Sequence, residues 1–259
     1  MVVPPLHIRL FGGMEVTIDG EVLDPRLFTK QKAKTLLAIL ALNLGREVPR
    51  QTILDSMWPN LVGDAPINNF YSMWSVLRKV LSLPDGSCPY LVRHQGSCML
   101  DARYVTCDVT DVDALCHAML FNDLETREWI QTSAKLEEAY AGELLPSEIK
   151  NEYIIRMREI YHQRLIDALV SASHRTSSLG DAKLGLWFAR AALGYEQSRE
   201  DVYRVLMEAQ ALSGQRTEAV ETFMSCLKRM RDDYGVDLSP EMMELYEGLV
   251  LNREQVSFT

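Results

Sequence analysis

The chain changes character between Val105 and Thr110, and this change constrains its possible folds more than any single motif among the 259 residues. Before that point, short β-forming segments, Gly-marked turns and helical stripes follow one another; after it, helical periodicity runs nearly to the C-terminus. Charge changes at the same place: residues 1–105 carry 11 Lys+Arg against 9 Asp+Glu, and residues 106–259 carry 16 against 27. The net charge of −9 therefore belongs to the second half. Any surface for a polyanion is expected in the first half. Two domains are predicted, a mixed α/β domain over 1–105 and an all-helical domain over 106–259, each long enough to bury a core.

Within the first half, His7 to Phe11, Met14 to Ile18 and Glu21 to Leu23 are strand-like and separated by Gly12-Gly13 and Asp19-Gly20, which predicts a small antiparallel sheet. A helix follows, with Leu36, Leu37, Leu40 and Leu44 as its apolar stripe and Gly45 at its end. Arg26, Lys30, Lys32 and Lys34 form a basic cluster before and into that helix, either a solvated helix start or a phosphate-contacting one. Pro49 to Thr52 opens a second helix that Trp58-Pro59 closes. After a third helix, Tyr90 to His94 and Cys98 to Leu100 flank Gln95-Gly96-Ser97, a hairpin tip.

The third helix, Asp64 to Leu81, is the candidate recognition element. Ile67, Phe70, Trp74, Leu77 and Leu81 recur at helical spacing and predict a buried stripe. The opposite side carries Asn68, Ser72, Ser75 and Lys79, with Tyr71 and Arg78 beside them. Asp64 is expected to cap the free N–H groups, with Pro66 tolerated in the first turn. The formal charges from Asp64 to Leu81 are Asp64, Arg78 and Lys79 alone, so this face can approach DNA without repulsion. A polar outer face is also what an ordinary surface helix has.

Composition narrows the remaining classes. No apolar run reaches the roughly 18 to 20 residues a membrane span requires, and the N-terminus lacks the cationic start and apolar run of a secretory signal, so a cytoplasmic protein without membrane contact is expected. The five cysteines form no CxxC pair, and their odd count argues against a complete disulfide framework. His7, His94, His117, His162 and His174 are scattered outside any nucleophile or metal motif, and there is no GxxxxGK[ST] phosphate loop. An enzyme is not expected, nor any cofactor or metal.

The segments REVPRQTILDSMWP, NNFYSMWSVLRKVL and YLVRHQGSCML resemble the DNA-binding half of the Streptomyces-antibiotic-regulatory-protein family, whose winged helix is of the OmpR type. In the second half, Gly180 and Gly214 stand thirty-four residues apart, the period of the tetratricopeptide helix pair. Tyr203, Leu206, Ala219, Phe223 and Cys226 follow that repeat's order of bulky and small residues. GELLPSE and the run from Leu212 to Leu249 resemble the bacterial transcriptional activation domain of the same regulators.

The resemblance implies a winged helix-turn-helix followed by a tetratricopeptide-like helical domain, acting as a sequence-specific transcriptional activator. Its implied partners are promoter direct repeats in double-stranded DNA, a second copy of the chain on that DNA, and RNA polymerase. Candidate DNA contacts are Arg50 and Thr52 on the second helix, Asn68, Tyr71, Ser72, Ser75, Arg78 and Lys79 on the third, and Arg93 and His94 on the hairpin. The chain departs from the family at Ile67, Tyr71 and Val76, where basic residues are common, and at YEQSRED, where an Asp-Pro step is more usual. The loss of charge at 67, 71 and 76 favours the alternative, an effector- or protein-binding module whose winged helix docks a partner and binds DNA weakly or not at all.

Overall fold

The computed structural model describes residues 3–251. They divide into two compact units, one of residues 3–115 with 133–162 and the other of residues 116–132 with 163–251.

The first unit opens with β1 (Leu6–Arg9), β2 (Glu15–Ile18) and β3 (Glu21–Val22), paired antiparallel as expected. The pairing Ile18↔Glu21 leaves Asp19 and Gly20 as a two-residue loop with φ of 52° and 80°. Positive φ at both positions is the primed turn whose twist matches the strands. Leu6 and Ile8 alternate inward and are fully buried.

α1 (Gln31–Ala41) then passes through the core. Ala33 and every residue from Thr35 to Leu42 are buried, so this helix is enclosed on all sides rather than along one stripe. α2 (Arg50–Met57) and α3 (Ala65–Val80) pack on it and on one another. α3 buries Phe70, Met73, Trp74 and Leu77. The expected stripe is present, with Met73 added and Ile67 only half-buried.

Four short strands complete this region. β4 (Val48–Pro49) pairs with β6 (Ser97–Leu100), which pairs with β5 (Leu91–Arg93), giving the sheet order β4-β6-β5. The expected hairpin is therefore a three-stranded wing, and Arg50 N–H donates to the Gly96 carbonyl at 2.8 Å, tying its tip to the start of α2. β7 (Val105–Cys107) pairs parallel with β1 and completes the order β3-β2-β1-β7.

At the end of β7, Asp108 is buried, and its carboxylate accepts from Leu10 N–H and Phe11 N–H at 2.8 to 3.0 Å. Burial pushes its pKa up from the ordinary carboxylate value, against the pull of those two donors. Phe11 packs against Tyr140 and Tyr161, with ring centroids 4.7 and 5.9 Å away. Gly12 passes so close to this segment that a Cβ would lie 2.8 Å from the Ala141 carbonyl oxygen. Arg158 gathers the carbonyls of Leu144, Leu145 and Glu148.

The helical run after Thr110 is interrupted after Phe121. α4 (Asp108–Phe121) and α5 (Thr126–Ala139) are separate helices. Glu128 accepts from Glu125 N–H at 2.8 Å and so serves a free donor at the start of α5. α6 (Glu152–Ser178) follows an irregular segment in which Asn151 accepts from Ile154 N–H at 3.1 Å.

In the second unit, α7 (Ala182–Tyr195), α8 (Glu200–Leu212), α9 (Arg216–Arg229) and α10 (Pro240–Leu251) pack in sequence, α10 reaching both α8 and α9. Gly180 and Gly214 take left-handed φ at the two breaks. Tyr203, Leu206, Ala219, Phe223 and Cys226, singled out by the repeat pattern, are all buried. Phe223 stacks on Tyr246 at 4.0 Å. The YEQSRED turn holds without an Asp-Pro step because Arg199 pairs with Asp167 at 2.6 Å and Asp201 at 2.7 Å. Ser198 closes the turn by donating N–H and O–H to Glu196 at 2.6 Å. No helix among the described residues is long and apolar enough to cross a membrane.

Candidate nucleic-acid interface

Helical spacing places Asn68, Tyr71, Ser72, Ser75, Arg78 and Lys79 on one side of α3. All are exposed except Ser72, which is half-buried, and the Asn68 amide has no partner among the described residues. Pro66 lies in the first turn, as anticipated. Asp64 does not cap the helix with its side chain: it adopts helical dihedrals (φ −86°, ψ −5°), and its backbone carbonyl accepts from Asn68 N–H instead. A side-chain cap requires extended dihedrals at that residue. Arg78 and Lys79 occupy the last turn, where cations complement the helix dipole.

Cations from three other elements border this face. Arg50, at the first position of α2, donates to the Tyr71 hydroxyl at 3.1 Å. Arg93, on β5, lies over the Tyr71 ring with its guanidinium carbon 5.6 Å from the centroid. Lys30, just before α1, donates to Ser72 Oγ at 2.8 Å. An open groove between α3 and the wing is lined by Ser75, Arg78, Lys79, Ser82 and Arg93 over Tyr71 and Trp74, without an acid. Among the described residues, Arg50, Arg78, Lys79 and Arg93 form no ion pair.

The remaining candidates are less integrated. His94 sits at the wing with Nε2 3.8 Å from Glu47, whose other oxygen accepts from Ser97 Oγ at 2.6 Å. Thr52 is exposed on α2 and contacts none of the others through a side-chain hydrogen bond. The basic cluster before α1 disperses. Arg26 pairs with Asp24 at 2.7 Å, Lys32 donates to the Met57 carbonyl beneath the Trp58 ring, and Lys34 lies over Phe28. Lys30 alone of the four turns to α3.

The geometry defines a class: a winged helix with an acid-poor face on its third helix, followed by a helical domain built on paired helices. A family model described as "Bacterial transcriptional activator domain" matches residues 107–250. No curated protein matches in sequence. Among solved structures, the chain is similar to Mycobacterium tuberculosis EmbR in complex with a low-affinity phosphopeptide, with a TM-score of 0.75 and 20% sequence identity. The match covers 96% of this chain and 66% of that chain, so this chain spans just under two thirds of its length. Because the family model covers more than half of the residues, the chain belongs to the bacterial transcriptional activator domain family. The matched domain is one of bacterial transcriptional regulators, and the chain resembles the Streptomyces antibiotic regulatory proteins.

Proposed function

We propose that this chain is a sequence-specific DNA-binding activator. In this reading α3 enters the major groove with Asn68 and Ser75 toward the bases, Arg78 and Lys79 meet phosphates, and Arg50, Thr52, Arg93 and His94 hold the backbone on either side. Residues 1–105 carry DNA recognition. Residues 106–259 carry activation through contact with RNA polymerase and assist a second copy in binding beside the first on a promoter direct repeat. The protein acts in the cytoplasm.

One observation carries this reading: four cations from α2, α3 and β5 surround the polar face of α3, and none of them is neutralised by a carboxylate. Because the whole chain is acidic, such a concentration of unpaired cations is a local feature and not a by-product of composition. The wing, tied to α2 through the Arg50–Gly96 bond, is placed beside that face.

A band-shift titration with the DNA upstream of the chain's own operon, repeated at several salt concentrations, tests the reading. Retarded complexes of one and then two copies, weakening steeply with salt, are expected. Absence of any salt-dependent complex, on this DNA and on random duplex, would leave the winged helix as a docking module.

A further inference from the structure

We infer that Tyr71 is a positioning residue, which fixes two arginines from separate elements at one spacing for the DNA backbone, rather than a reader of bases. The inference rests on the DNA-binding reading above and assigns a role within it. Tyr71 is 40% exposed, yet both its ring face and its hydroxyl are occupied by cations. Arg50 donates to the hydroxyl at 3.1 Å, and Arg93 covers the ring at 5.6 Å. The ring also packs edge-on against buried Phe70, with centroids 5.5 Å apart, which anchors it to the core side of α3.

The hydroxyl's acceptor side is engaged by Arg50 and the ring face under the Arg93 guanidinium is closed to a base, so Tyr71 presents two held cations at this face. An arginine loses rotamer freedom when it is fixed on a phosphate. Holding it beforehand removes part of that loss from the binding step. Arg50 belongs to the start of α2 and Arg93 to β5, so Tyr71 is the point at which α2, the recognition helix and the wing share one side chain.

The test exploits the fact that Tyr71→Leu removes no charge. Salt titrations of the full chain on a mixed-sequence duplex report the number of phosphates engaged, through the slope of log affinity against log salt. Tyr71→Leu is expected to flatten that slope by about one and to weaken binding roughly two- to fivefold. Tyr71→Phe keeps the ring for Arg93 and loses the acceptor for Arg50, so it should recover part of the slope. In an Arg93→Ala background the effect of Tyr71→Leu should shrink, because the two act through one contact. An unchanged slope in Tyr71→Leu, or full additivity with Arg93→Ala, would overturn the inference even if the wild-type chain binds DNA well. Absence of salt-dependent binding by the wild-type chain would instead overturn the DNA-binding reading beneath it. Tyr71 lies partly in solvent, and Tyr71→Phe preserves its packing on Phe70, so one informative variant remains folded.

Discussion

Asn68 and Arg78 stand on the same face of α3 and, in the DNA-binding reading, would offer DNA different information. A free amide can bond bidentately to adenine, whereas a guanidinium in the last turn of a recognition helix meets phosphate. Asn68→Ala should cost about 1 to 3 kcal/mol on the cognate site and little on random duplex. Arg78→Ala should weaken both duplexes alike and lower the salt slope by about one. Paired salt titrations of the two variants on specific and non-specific DNA separate these effects. If Asn68→Ala leaves discrimination unchanged, bases are not read through that residue.

At the scale of elements, β1 depends on a side chain far away in sequence. Asp108→Ala would leave the Leu10 and Phe11 N–H groups buried without an acceptor, at a cost of about 1 to 3 kcal/mol in urea denaturation. The pH dependence follows from the direction of the shift. Burial raises the folded pKa of Asp108 above the unfolded value of about 3.9, so its stabilising contribution is complete below that value and declines as pH rises through the folded pKa. The advantage of the wild-type chain over Asp108→Asn should therefore narrow upward from about pH 4. A difference that widens with rising pH would contradict this account of the site.

The same element shows why some features were legible in the sequence and others were not. α3 was, because Phe70, Trp74 and Leu77 repeat at a helical period that no strand can satisfy. The five repeat-pattern residues from Tyr203 to Cys226 were legible for the same reason, since their spacing encodes packing between neighbouring helices. β4 and β7 were not: Val48–Pro49 and Val105–Cys107 are two and three residues long, too short for a period of two to appear. Their pairing partners lie far away in the chain. The side chains of the recognition face could be named from α3 alone. Their grouping could not, because Lys30, Arg50 and Arg93 reach Ser72 and Tyr71 from three other elements.

For the whole molecule, function and compactness divide the chain at different places. Residues 1–105 contain α2, α3 and the wing, which the DNA-binding reading requires. The unit that holds them also includes Ser133–His162, whose Tyr140 and Tyr161 enclose Phe11. Fragments ending after residue 105 and after residue 162 should therefore both bind DNA without activating transcription. The shorter one lacks most of β7, Asp108 and both tyrosines, and should melt at the lower temperature. Equal melting temperatures would mean that the later segment adds nothing to the core around Phe11.

The central claim is that this regulator acts by reading DNA through the polar face of α3. A genome-wide footprint of the tagged full-length chain, with Asn68→Ala and Arg78→Ala chains in parallel, tests it most directly. The account predicts a small set of protected promoters sharing a direct repeat, with protection at those sites lost or reduced in both variants. No discrete protected sites, or the same sites protected to the same depth in all three chains, would contradict it.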